Sequence, residues 1–315
     1  MKQRVALLKV AIPEVTDVYF DGDGITSKRI ERLLNSVTLG GKEVMTIIGG
    51  YGMGKTHTLK YIETLAKGRG FKAIYVQSPG KSFMEFYASV VENLLNEVLS
   101  LKDSVSDPAL RKALELLQDT DNAIYVKGWL LGYSIPPKVR YKLGLIGSLK
   151  EINAVNFLVE MLKLVTSSGK AVAILLDEVE ALLSLPKNAR YSYTEYLREL
   201  IDGMPRGVAL VMAMTPACWD ELTTLNPALF RRLSGSILYL KPLGKEHVRK
   251  FLELYFGSLL NLLDDEVLNY IHELANGIQG EILKYASILL EEALYLGNNL
   301  RIFLDKAKQI LSEYV

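Results

Sequence analysis

Four short stretches, Val44–Ile48, Ala73–Gln77, Ala171–Leu176 and Val208–Met214, are apolar at nearly every position. Runs of that length without polar alternation are expected for strands covered on both faces of a sheet. A fifth candidate strand, Ile237–Leu240, is less uniformly apolar. Between the strands, apolar residues recur three and four apart, which predicts helices over Thr26–Ser36, Lys55–Lys67, Ser82–Leu99, Asp107–Leu117, Ser148–Thr166 and Tyr193–Asp202. Strands alternating with long helices predict an α/β fold with a parallel sheet. After "LYLKPLGKEHVRK" the strand pattern stops. "KEHVRKFLELYF", "DDEVLNYIHELA", "EILKYASILLEEAL" and "LRIFLDKAKQILSEY" all read as helices. The expected division is an αβ core over residues 1–241 and an all-helical domain over residues 242–315, with no internal repeat.

One stretch, residues 103–147, departs from the alternation between the second and third strands. It contains the turn-rich "KGWLLGYSIPPKVRYKLG", with Lys138, Arg140 and Lys142 beside Tyr133 and Tyr141. Those residues fit a local nucleic-acid patch. The favoured reading is a surface excursion that Trp129 and Leu130 dock to the core, because charges on loops are usually solvated.

Composition narrows the picture further. Lys and Arg total 37 against 36 Asp and Glu, so overall charge argues for neither nucleic-acid nor membrane binding, and any basic surface must be local. The single Cys218 excludes an intrachain disulfide, no Cys/His spacing suggests zinc, and a reducing, cytoplasmic setting is expected. The start "MKQRVALLKVAIPEV", broken by Lys9, does not read as a signal sequence. The apolar runs fall short of the roughly 18 residues a membrane helix needs, so no membrane partner is expected.

The chemistry concentrates in "IIGGYGMGKTHTL". Gly49-x-x-x-x-Gly54-Lys55-Thr56 matches the phosphate-binding P-loop, with a strand before it and a helix after it. Glycines let successive backbone N–H groups turn toward a β-phosphate, and the following helix adds its positive end. Gly49, Gly50, Tyr51, Gly52, Met53, Gly54, Lys55, Thr56 and His57 form the expected nucleotide-binding segment. Lys55 would reach the β/γ-oxygens and Thr56 would ligate Mg²⁺, while the Tyr51 and His57 side chains read as packing or solvent groups.

Downstream, "AVAILLDEVEALL" ends an apolar strand in Asp177 and then Glu178. An acid at the strand tip can hold the Mg²⁺ shell, and the next carboxylate can orient and deprotonate an attacking water. "GVALVMAMT" puts Thr215 at the tip of a strand expected between the other two, within reach of a γ-phosphate or water. In "NPALFRRLSG", Arg231 or Arg232 could be offered across a subunit interface to a γ-phosphate. The glutamate favours hydrolysis with an enzyme-supplied base, which small-molecule kinases do not need. No guanine-reading Asn-Lys-x-Asp and no Ser-Gly-Gly before Asp177 is present, which weakens a GTPase and an ABC transporter ATPase.

This order of motifs resembles the AAA+ P-loop ATPases, with an αβα core and a helical lid. "GGYGMGKTHTLKYIETLAKGRGFKAIYV", "KGWLLG", "LLDEVEALL", "YLRELIDGMP" and "AMTPACWDELTTLNPALFRRL" resemble more closely the BrxD-like ATP-binding proteins of BREX phage-defence systems. The resemblance implies ATP with Mg²⁺, Lys55 and Thr56 in the Walker A role, and Asp177 and Glu178 in the Walker B role. It places Thr215 at sensor 1 and Arg232 at the arginine finger, with Arg231 the alternative. It also implies a homo-oligomer with interfacial ATP sites, acting on DNA or on a DNA-processing protein partner in phage defence. Many AAA+ lids carry Gly-x-x-Arg, whose arginine senses the γ-phosphate. Here "NGIQGEILK" puts Gly280 at that position, with Lys284 one turn later. Slower nucleotide switches, resembling archaeal origin-recognition initiators or STAND regulators, are the alternatives. The initiators carry a winged helix after the lid and the regulators long repeat or effector domains, neither of which residues 244–315 leave room for.

Overall fold

Each candidate strand becomes a strand in the computed structural model, which describes residues 19–22, 24–118, 121–145, 147–295 and 301–314. The first fifteen residues, expected not to be a signal sequence, lie outside that range. Contacts divide the chain into two units, Lys28–Ile48 with Ile62–Leu238, and the described part of Met1–Ser27 with Gly49–Tyr61 and Tyr239–Val315.

The first unit takes in all but the first three residues of α1 (Ile25–Thr38), and β1 (Lys42–Ile48). There follow α2 (Lys55–Gly68), which starts in the other unit, β2 (Lys72–Val76), α3 (Phe83–Leu99), α4 (Pro108–Leu116), α5 (Ala123–Leu130), α6 (Pro137–Lys142) and α7 (Glu151–Ser167). Next come β3 (Val172–Leu176), α8 (Lys187–Gly203), β4 (Val208–Met214), α9 (Pro216–Leu225), α10 (Pro227–Leu233) and β5 (Ile237–Tyr239). The sheet order is β2-β3-β4-β1-β5, so β4 lies between β1 and β3, and the β2–β3, β3–β4 and β4–β1 pairs are parallel. Every residue of β3 and β4 is buried, because helices cover both faces of a parallel sheet. On α3, Phe83, Phe86, Tyr87, Val90, Val91, Leu94 and Val98 recur at helical spacing and bury one stripe. That stripe packs with α7, which in turn meets β3 and α8.

The excursion folds as short helices. Asp107, expected as the first helical residue, instead caps α4 by accepting from Ala109 N (2.8 Å) and Leu110 N (2.9 Å). Trp129 and Leu130 are buried, as docking requires, and the Trp129 indole donates to Gly147 O at 2.8 Å. The indole also lies against Phe157 of α7, with ring centroids 6.3 Å apart.

The second unit is helical at its core: α11 (Val248–Phe256), α12 (Asp265–Leu274), α13 (Gln279–Tyr295) and α14 (Leu304–Leu311). Phe251, Leu252, Phe256, Leu268, Ile271, Ile282, Leu289 and Leu290 fill it, and Phe20 meets Phe251 edge-on. Among the described residues no helix is long and apolar enough to cross a membrane.

Candidate nucleotide-binding and catalytic site

Three of the P-loop glycines stand where a side chain is disfavoured. Gly52 (φ +73°) and Gly54 (φ +84°) adopt backbone conformations that a side chain disfavours. A Cβ on Gly49 would stand 3.1 Å from the Cβ of Leu240. At the first position of α2 the Lys55 ammonium donates to Gly49 O (3.1 Å) and Gly50 O (3.2 Å), 5.3 Å from the Tyr51 ring centroid. The lysine is thus held against the backbone of the loop that precedes it. Gly50 N–H donates to the Met53 sulfur at 3.0 Å, and Thr58 pins the loop end through Gly54 O. Tyr51 is exposed and His57 stacks on Tyr19. Tyr19 in turn stacks on Tyr61, with centroids 4.2 Å apart, and burial pushes its phenol up to about 12.

The helical domain meets this loop backbone to backbone. Gly280 N–H, in the first turn of α13, donates to Gly52 O at 2.9 Å. A Cβ on Gly280 would stand 3.2 Å from both Gly52 Cα and Gly52 O, so an arginine there would need the loop backbone to give by a few tenths of an ångström. Lys284 pairs instead with Glu281 of its own helix at 3.1 Å.

In the sheet unit, the strand ends set the heights of the acidic and polar residues. Ile48 of β1 is opposite Met214 of β4, and Leu176 of β3 is opposite Met212. β1 and β4 therefore end level with each other, and β3, which leads into Asp177, ends about two residues lower. Asp177 is 1% exposed. Its Oδ2 accepts from the Tyr75 hydroxyl and its Oδ1 from Glu178 N–H, each at 2.9 Å. Burial, together with the neighbouring Asp177 carboxylate, pushes the Tyr75 hydroxyl well above its usual range, so it stays a donor. Tyr75 is a positioning residue that sequence patterns did not single out; on β2 it reads only as one more apolar strand residue.

Glu178 breaks from the strand with φ 49° and ψ 39°. A left-handed glutamate costs about 1–2 kcal/mol. That turn separates the two carboxylates, leaving Asp177 buried and Glu178 exposed. Tyr75→Phe would leave a buried carboxylate oxygen without its donor. The expected loss is about 1–3 kcal/mol in a urea unfolding titration, and unchanged stability would mean the bond orients nothing.

Thr215 is 5% exposed and caps α9, its hydroxyl oxygen accepting from Cys218 N–H at 3.4 Å. Its own proton remains available for another acceptor. Burial pushes the Cys218 thiol up to about 12, which keeps it inert. On α10 the two arginines differ. Arg232 forks onto Asp202, donating from Nη2 to Oδ2 at 2.7 Å and from Nε to Oδ1, and its hydrogen bond holds that carboxyl below the usual range. Arg231 is exposed, and among the described residues none accepts a bond from its guanidinium.

A sequence profile for the family described as BREX system ATP-binding protein BrxC/D matches residues 81–242, just over half of the chain. The chain belongs to that family. The matched segment holds Asp177, Glu178, Thr215 and both arginines, and the P-loop lies upstream of it. Among curated proteins none matches the sequence. Solved structures do. The Aeropyrum pernix ORC2 protein, in its ADPNP and ADP complexes, is 17% identical over 92% of this chain and 67% of its own, with a TM-score of 0.56. The ORC1 protein of the same organism, in complex with DNA, is 17% identical over 98% and 69%, with a TM-score of 0.55. Cdc6p from Pyrobaculum aerophilum is 14% identical over 93% and 67%, with a TM-score of 0.57. At these identities the likeness establishes the fold, an AAA+ P-loop fold, and the family adds ATP binding.

Proposed function

We propose that the protein hydrolyses ATP and couples the turnover to a transaction on DNA. The observation that carries hydrolysis is the split pair at the end of β3: a buried, doubly bonded Asp177 followed by an exposed Glu178. An exposed carboxylate directly after a buried, doubly bonded aspartate at a strand end suits a general base for an attacking water. In the proposed reaction the P-loop amides and Lys55 hold the triphosphate, and the Thr215 hydroxyl orients water. Glu178 takes a proton from that water as its oxygen bonds to the γ-phosphorus and the bond to the ADP oxygen breaks.

Thr56 and Asp177 are the expected Mg²⁺ partners, and the ion would neutralise phosphate charge. Among the described residues no cluster of three or more His, Cys, Asp or Glu could hold a metal alone. That fits an ion that arrives with the nucleotide. In a homo-oligomer the free Arg231 is the better group to reach a neighbouring copy's phosphate, since Arg232 is committed to Asp202. Coupling to DNA, or to a DNA-processing partner, is supported by the family's place in BREX systems and by the DNA-bound ORC1 fold.

The test is phosphate release from Mg-ATP by the full chain, with and without DNA. Release that rises with DNA is expected. Nucleotide binding without release would overturn hydrolysis in favour of a switch, and release indifferent to DNA would overturn the coupling.

A further inference from the structure

We infer that α6 and its flanks form a platform for single-stranded nucleic acid, an inference that rests on the DNA half of the function proposed above. From Asn122 to Lys150 the chain has five Lys and Arg (Lys127, Lys138, Arg140, Lys142 and Lys150) and no Asp or Glu, within a protein of net charge +1. Lys127 is paired with Glu92 at 2.6 Å. Among the described residues no carboxylate pairs with Lys138, Arg140, Lys142 or Lys150; Arg140 reaches only the Ser148 hydroxyl, at 3.4 Å. Lys112 of α4 joins the group from another element, its ammonium donating to Gly144 O at 3.1 Å. Many basic residues elsewhere in this unit are ion-paired, including Lys67, Arg69, Lys72, Arg190, Arg198 and Arg232.

The aromatic component is equally specific. On α6 the positions 138, 141 and 142 are three and four apart and share a face. Lys138, Tyr141 and Lys142 are all exposed there, while Val139 packs against the core and Leu143 is buried. Tyr141 is 89% exposed, more than any other described tyrosine, and Tyr133 ahead of the helix is 61% exposed. On either side of α6 in sequence, Trp129, Leu130, Leu145 and Leu149 are buried in the core and anchor the segment. Unpaired cations beside an open aromatic ring match the phosphates and the unstacked bases of a single strand. A duplex hides its base faces, and an acidic protein surface would use the cations but leave the rings without a partner.

The test uses the full chain and fluorescence anisotropy of a labelled oligothymidylate and of a duplex, over a series of salt concentrations. Oligothymidylate should bind with a log–log salt dependence. Removing two phosphate contacts in Lys138→Ala/Lys142→Ala should flatten its slope by about 1.4. Tyr141→Ala should weaken binding by about 10-fold with the slope kept. Both variants should release phosphate from ATP at the wild-type rate without DNA. Wild-type affinity and slope in both variants would overturn the platform while leaving DNA coupling standing on another surface. Tighter binding of the duplex with no effect of Tyr141→Ala would overturn the single-strand assignment. Absence of binding to either nucleic acid would overturn the platform and the DNA coupling together, with hydrolysis judged separately by phosphate release.

Discussion

Glu178→Gln is expected to slow phosphate release from ATP by about 10²- to 10⁴-fold, the usual contribution of a general base, with nucleotide affinity preserved. The amide keeps the size and most of the polarity of the side chain but cannot accept the proton of the attacking water. Affinity should survive because Glu178 is exposed at the end of β3, whereas the nucleotide would be held by the P-loop. The fold should also survive. The left-handed backbone is set by the turn into buried Val179 and by the Glu178 N–H bond to Asp177, neither of which uses the carboxylate. Single-turnover phosphate release beside equilibrium binding of a fluorescent ATP analogue separates the two properties. Unchanged release would remove Glu178 from the role of base and leave the chemistry to another group.

Lys55→Ala is expected to weaken ATP binding by at least about 10-fold, the value of a hydrogen bond to a charged group. The ammonium already donates to the carbonyls of Gly49 and Gly50, so a triphosphate would draw it a short way from acceptors weaker than phosphate oxygens. Alanine at the start of α2 favours the helix, and the variant should melt near the wild type. Calorimetric titration with Mg-ATP and a thermal scan check both statements. A variant that binds ATP normally would show that the glycine backbone alone carries the phosphates.

Much of this architecture was legible because burial writes itself into sequence. β4 spans Val208–Met214 as the apolar run predicted, and β1 ends at Ile48 where the glycines begin. Asp177 and Thr215 do follow directly on the ends of β3 and β4, as the apolar runs before them predicted. What surrounds them was not, since side-chain pairs distant in sequence leave no periodic signal. Tyr75 reaches Asp177 across 102 positions, and Arg232 reaches Asp202 across 30. The second pairing makes the two arginines unequal in a way their adjacency conceals. Helix boundaries failed where polarity outweighed periodicity. α8 begins at Lys187 and not Tyr193, because Pro186 opens a first turn of polar residues that reads as loop. α5 was missed as a helix because "AIYVKGWL" is apolar nearly all round and shows no face.

The contact between Gly52 and Gly280 carries no charge. An arginine sensor weakens as salt screens it, over a distance of about 8 Å at physiological ionic strength. An amide-to-carbonyl bond between two glycines has no such dependence. It responds to peptide orientation instead: a rotation that turned the Gly52 carbonyl away would release the first turn of α13, and no ion in the medium could hold it.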